Sequence, residues 1–195
     1  MFEQTTAAGT GGDVPGAISD AREEVLVRFT RGQVVTEPSF KFFSVTADIF
    51  KLDGSPDGVY EAEYQLTAPP ADLFLRPVQP IPPFDVPQGP VDHITINAYT
   101  KGRWKFADGS SILAIGTANF HAVKVSSAAN AAVKLWVTGN QIITGGTGQF
   151  DGVQGLKILS GACDLPSLPA QPGQLFPAQT VDAFRIIRAS DIAKM

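Results

Sequence analysis

A chain of 195 residues, 44% hydrophobic and only 17% charged, is long enough for one domain with a sizeable core and is poorer in charge than the roughly 25% of an average soluble protein. A net charge of -4, with Lys and Arg scattered and never in a run, argues against nucleic acid as a partner, because phosphate neutralisation needs a basic patch. The single cysteine, Cys163, excludes an intrachain disulfide framework and a cysteine-rich metal site, and it reads as a small buried apolar residue before it reads as a nucleophile.

The opening residues, MFEQTTAAGTGG, lack the basic-then-apolar order of a secretory signal. No window approaches the roughly twenty apolar residues of a membrane helix. The expectation is a cytoplasmic protein without a membrane partner, or a secreted one if a leader has been trimmed. Residues 1–20, rich in Gly, Ala and Thr, are expected to form a flexible arm ahead of a single domain over 21–195.

In chain order, residues 25–29 (VLVRF) form a short β-type run, and 40–51 form a longer one rich in aromatic and β-branched residues. The turn residues of 53–58 (DGSPDG) follow. Residues 59–67 then alternate, with Tyr60, Ala62, Tyr64 and Leu66 on one face and Glu61, Glu63 and Gln65 on the other, the period of a half-buried strand. Residues 69–90 hold eight of the fifteen prolines and read as a long connection. Its apolar residues, Phe84 among them, imply that it packs on something: a cavity, a neighbouring subunit or a sheet edge.

Strands are expected at 92–106 and 111–125, joined through Ala107-Asp108-Gly109 as a hairpin. Residues 128–132 are alanine-rich and read either as a helical turn or as a hairpin end. Two short strands, 133–137 and 141–144, bracket an expected turn at Thr138-Gly139-Asn140. A strand at 153–163, a second proline-rich loop at 164–177 and a last strand from 181 to 188 complete the chain. About eight strands with mostly short turns, and no convincing helical period, predict an all-β barrel or sandwich.

Residues 142–155, IITGGTGQFDGVQG, concentrate five of the nineteen glycines around Phe150. A phosphate loop is excluded, since it needs Lys followed by Ser or Thr after the glycines. A dinucleotide fingerprint fits poorly, because Asp151 stands where the third glycine belongs and later glycines would weaken the helix. A tight strand connection with Phe150 plugging a barrel end remains. The segment resembles the G-G-T-G-x-F-x-G-x-x-G signature shared by allene oxide cyclases and dirigent proteins, and the preceding DGSSILAIGTANF is similar to the stretch before that signature. The resemblance implies a calycin-like, eight-stranded antiparallel barrel, to which this sequence adds long proline-rich loops, the insertion at 69–90 being longer than the family's. Strands apolar on both faces, such as 111–125, need cover on the second face and point to a homo-oligomer, of which the resemblance implies a trimer.

Candidates for chemistry are few. His121 shares a strand face with Thr117 and Asn119, and this face either lines the barrel as a polar stripe or looks at solvent. Glu61 and Glu63 share a face and would serve acid-base work if buried, though exposed strand glutamates are commoner. Glu63, His121 and Asn119 are the expected catalytic residues. Tyr60, Tyr64, Tyr99, Trp104, Trp136 and Phe84 are the expected substrate contacts, offering broad apolar surface, in most cases with a polar handle. Two histidines far apart suit no metal site, and no motif calls for a cofactor. The expected function is a cofactor-independent cyclase or isomerase that holds a hydrophobic small molecule in its barrel; the alternative is a non-catalytic carrier.

Overall fold

The structure, a computed structural model, describes residues 23–36, 42–67, 76–77, 92–124, 133–165, 173 and 175–188. The N-terminal arm, all but two residues of the proline-rich insertion with Phe84, and the alanine-rich stretch 128–132 lie outside the described residues.

The protein is all-β. Its strands are β1 (Glu23–Thr36), β2 (Phe42–Phe50), β3 (Pro56–Leu66), the two-residue β4 (Arg76–Pro77), β5 (Asp92–Phe106), β6 (Ser111–Lys124), β7 (Val133–Thr147), β8 (Gln154–Leu165) and β9 (Leu175–Ile187). Eight of them run antiparallel in the order β3-β2-β1-β9-β8-β7-β6-β5, and β3 pairs again with β5 to close a barrel. Among the described residues closure leaves no long edge strand exposed to another chain. β4, inside the insertion read as pure connection, adds only two pairs, Arg76 with His93 and Pro77 with Asp92.

Period-two patterning sorts the walls. In β3, Tyr60, Ala62 and Tyr64 are buried and Glu61, Glu63 and Gln65 exposed. In β6, Ile112, Ala114, Ala118, Phe120 and Ala122 fill the interior. The aspartate-glycine turns after Asp53 and Asp108 form where expected, each Asp carboxylate accepting bonds from the Ser two residues on.

Three sequence expectations are corrected. β7 is continuous from Val133 to Thr147, so Thr138-Gly139-Asn140 is strand and not turn. Gly139 is small because a neighbour needs its space: a Cβ there would stand 2.8 Å from the Thr117 carbonyl and 3.0 Å from the Leu159 side chain. β1 extends well past Phe29, and β9 begins at Leu175, inside the expected loop. Pro177 stands near the start of β9, opposite Gln33 of β1 and beyond the last pairing with β8 at Ala178, the strand-end setting in which proline is tolerated.

The two barrel ends differ. At one, short turns join β2 to β3, β5 to β6 and β7 to β8; the three longest links of the chain all leave from the other. The glycine segment closes the short-turn end. Gly148, at φ 63°, starts a single 3-10 turn over Gly148–Phe150, which drops Phe150 into the core 4.9 Å from the Phe106 ring. Glu23 pairs with Arg185 and Glu24 with Arg188, so ion pairs tie β1 to the far end of β9 at this same rim.

Candidate functional site

The middle of the barrel is aromatic and charged at once. Trp104 of β5 is fully buried, stacked on Tyr60 at 4.5 Å and edge-on to Phe184 at 5.2 Å. Inward alternation in β8 puts Lys157 on the same side as Leu159 and Cys163, and in β9 it puts Asp182 with Phe184 and Ile186. The Lys157 ammonium stands 2.7 Å from Asp182 Oδ1, with the two side chains 0% and 1% exposed.

The contacts of this pair are uneven. Asp182 Oδ2 accepts bonds from Trp104 Nε1 and Thr180 Oγ1, each at 3.3 Å, and the Thr180 hydroxyl lies 2.6 Å from that of Thr30. Lys157 Nζ and Asp182 Oδ1 form the ion pair. The ammonium is held besides by ring faces, at 4.3 Å from the Trp104 centroid and 5.6 Å from that of Tyr60. Burial lowers the lysine pKa, and attraction to Asp182 works against that shift.

Further toward the long-link end, the Tyr60 and Tyr64 hydroxyls lie 3.1 Å apart, and Gln141 Nε2 donates to Thr100 Oγ1 at 3.1 Å while Gln141 Oε1 has no partner among the described residues. Tyr64 stacks on Phe43 at 4.8 Å, and Phe120 packs edge-on against both. Burial raises the Tyr60 phenol well above its usual range and pushes both Tyr64 and the Cys163 thiol up to about 12. Cys163 is thus a buried thiol with little thiolate character.

Of the residues singled out in the sequence, the fold gathers Tyr60, Tyr64 and Trp104 in the interior. It sends Glu63, His121, Asn119, Tyr99 and Trp136 to the outer wall, because the apolar residues on the opposite parity of their strands take the interior. Glu63 is exposed and paired with Lys101 at 2.8 Å, and Glu61 is likewise paired with Lys105. Thr117 and His121 are exposed and Asn119 is half-buried beside Asn97 and Thr138, so this stripe faces out while Ala118, Phe120 and Ala122 fill the barrel. Tyr99 and Trp136 are 62% and 46% exposed.

Lys157, Asp182, Thr100 and Gln141 were not among those candidates. The signal for Asp182 lay in β9, where Phe176, Ala178, Phe184 and Ile186 share its parity. For Lys157 the signal was mixed, since Leu159 and Cys163 share its parity but the adjacent Leu156 and Ile158 are apolar as well and yet face out.

Two clefts open on the outer wall, the first of them lined in part by Thr30 and Thr180, the hydroxyls that lead to Asp182. One of about 600 Å3 lies among Phe29, Phe50, Trp136 and Val181, with Arg31 beside them. The other, about 520 Å3, is lined by Glu61, Glu63, Lys101 and Arg103 with Leu113 and Ile115. Among the described residues no three His, Cys, Asp or Glu side chains gather as a metal-ligand group, and no helix is long and apolar enough to cross a membrane. In comparisons with known proteins, no protein-family model and no curated protein matches the sequence.

Proposed function

We propose that the protein is a cofactor-independent cyclase or isomerase, related to the allene oxide cyclase and dirigent barrels, whose substrate is a hydrophobic small molecule taken into the barrel. The observation that carries this reading is the Lys157–Asp182 pair buried in an aromatic interior. A barrel needing only stability gains little from such a pair, because desolvation of both ions offsets their attraction. At a reaction site the same pair is useful: a fixed cation stabilises negative charge developing on a substrate oxygen, and a carboxylate beside it relays a proton. Tyr60 and Tyr64 supply neutral hydroxyl donors, and the rings of Trp104, Phe120 and Phe43 supply the shape that restrains a reactive intermediate. The substrate enters at the end bearing the long links, since Phe150 plugs the other.

A second reading is a carrier without catalysis; because Tyr60, Trp104 and Phe184 fill the middle of the barrel, the stack has to part for a ligand in either reading. The two readings separate in one experiment. The protein is incubated with a panel of apolar epoxides and polyenes, and the bound compound is extracted and compared with the input. Rearranged product that disappears in Lys157→Met supports the enzyme. Compounds recovered unchanged support the carrier, and no bound compound at all removes both.

We also propose a homo-oligomer, with the trimer as the first state to look for. Ile115, Ile142 and Leu156 lie side by side across β6, β7 and β8, all more than half exposed, with Ile158 and Val181 continuing the apolar wall. Apolar patches of this kind are characteristic of subunit contacts. Light scattering on the purified protein decides it; a monomer at micromolar concentration removes the proposal.

A further inference from the structure

We propose that Lys157 is a carbonyl-trapping amine, which condenses with an aldehyde or ketone group on the apolar molecule held in the barrel and forms an imine. This inference rests on the barrel being the ligand chamber, and it narrows the ligand to a carbonyl compound with an apolar body.

Three features of the pair carry it. First, the amine has its carboxylate partner at hand: Nζ stands 2.7 Å from Asp182 Oδ1 and faces the Trp104 and Tyr60 rings, which neither donate to it nor accept a proton from it. Burial favours its neutral, nucleophilic form, as in other buried lysines that add to carbonyls. Second, the carboxylate is divided in labour. Oδ2 is anchored by Trp104 and Thr180, and Oδ1 stands 2.7 Å from Lys157 Nζ, placed to take and return its proton. Third, the adduct fits where the ammonium sat. A protonated imine carries the same single positive charge at the same nitrogen, so the Asp182 carboxylate and the Trp104 and Tyr60 faces stabilise it as they stabilise the ammonium.

The step balances without a co-reactant. The Lys157 ammonium gives one proton to Asp182, and the free amine adds to the carbonyl carbon while an N–H proton moves to the carbonyl oxygen. Asp182 then returns its proton to the resulting hydroxyl, which leaves as water, and the carbon–nitrogen double bond forms. The exposed lysines offer a contrast inside the same molecule, for Lys101, Lys105 and Lys134 each sit in solvent beside Glu63, Glu61 and Asp164. Because Lys157 is fully buried, the ring stack has to part for a ligand to reach it, and adduct formation is expected to be slow.

The test uses n-nonanal as the aldehyde and nonan-1-ol as its unreactive counterpart. Wild-type protein is incubated with nonanal and cyanoborohydride at neutral pH, and the reduced adducts are located by peptide mass mapping. In parallel, nonan-1-ol is titrated into Trp136→Phe, where Trp104 is the sole remaining indole. The expected result is an adduct at Lys157 that forms before any at Lys101, Lys105 or Lys134, is blocked by excess nonan-1-ol, and is lost in Lys157→Met; the wild-type map decides if that variant does not fold. If nonan-1-ol shifts Trp104 emission but nonanal marks only surface lysines, the imine is overturned and the ligand chamber stands. If Trp104 does not respond and Lys157 is unmodified, both fall.

Discussion

The barrel contains lysine–carboxylate pairs of nearly equal length in opposite surroundings. Lys157 and Asp182 meet at 2.7 Å with both side chains essentially unexposed; Lys101 and Glu63 meet at 2.8 Å with both about two-thirds exposed. Water screens the outer pair to roughly 1 kcal/mol of attraction or less, whereas inside a protein the same charges act through a several-fold lower effective dielectric. What differs is the consequence of losing a partner. A solvated lysine without its glutamate is hydrated, but a buried one without its aspartate is an uncompensated charge among rings.

The largest expected effect breaks the inner pair. Asp182→Asn keeps the shape and strands the ammonium, and it should lower unfolding free energy by about 3–5 kcal/mol in urea denaturation. The double variant Lys157→Met/Asp182→Leu removes both charges and should recover most of that loss, because two apolar side chains need no desolvation. A cost below about 1 kcal/mol for Asp182→Asn would mean that the interior pair is solvated like the outer ones.

Alkaline pH gives the next effect. Below pH 10 the phenols of Tyr60 and Tyr64 are protonated both folded and unfolded, so they contribute no pH dependence. Above it the unfolded chain releases these protons while the folded barrel keeps them, so stability falls as pH rises, up to about 12 for Tyr64. For Tyr64 alone the loss is on the order of 3 kcal/mol. Cys163 adds to the loss over the range from 9 to about 12. Phenolate absorbance followed against unfolding checks this: the two buried tyrosines should ionise only as the barrel opens, and early ionisation of all three would contradict it. Smallest is the outer wall, where Glu63→Gln should change stability by less than about 1 kcal/mol, and by still less in high salt.

Much of the fold was legible because β structure writes its period into the chain. Alternation in residues 59–67 separated Tyr60 and Tyr64 from the two glutamates; the barrel turns the tyrosines inward and the glutamates outward, Glu63 with its expected catalytic role among them. The turns after Asp53 and Asp108 were legible from glycine and aspartate chemistry. Gly139 misled because a glycine flanked by Thr and Asn looks like a turn whether it bends the chain or makes room for Leu159. The polar stripe of Thr117, Asn119 and His121 was visible, but its direction depended on Ala118, Phe120 and Ala122 winning the interior.

By itself, then, the chain determined the alternation of most strands, the turns after Asp53 and Asp108 and the glycine-rich closure around Phe150, because these depend on neighbours a few residues away. Only tertiary structure decided that Lys157 faces in while Leu156 and Ile158 face out. Pairing with β7 and β9 sets the parity of β8 as a whole strand, and one register has to serve Leu159 and Cys163 as well as Lys157. Closure of the sheet then brought Trp104 and Tyr60 across the barrel to meet it, a contact that no spacing in the sequence encodes.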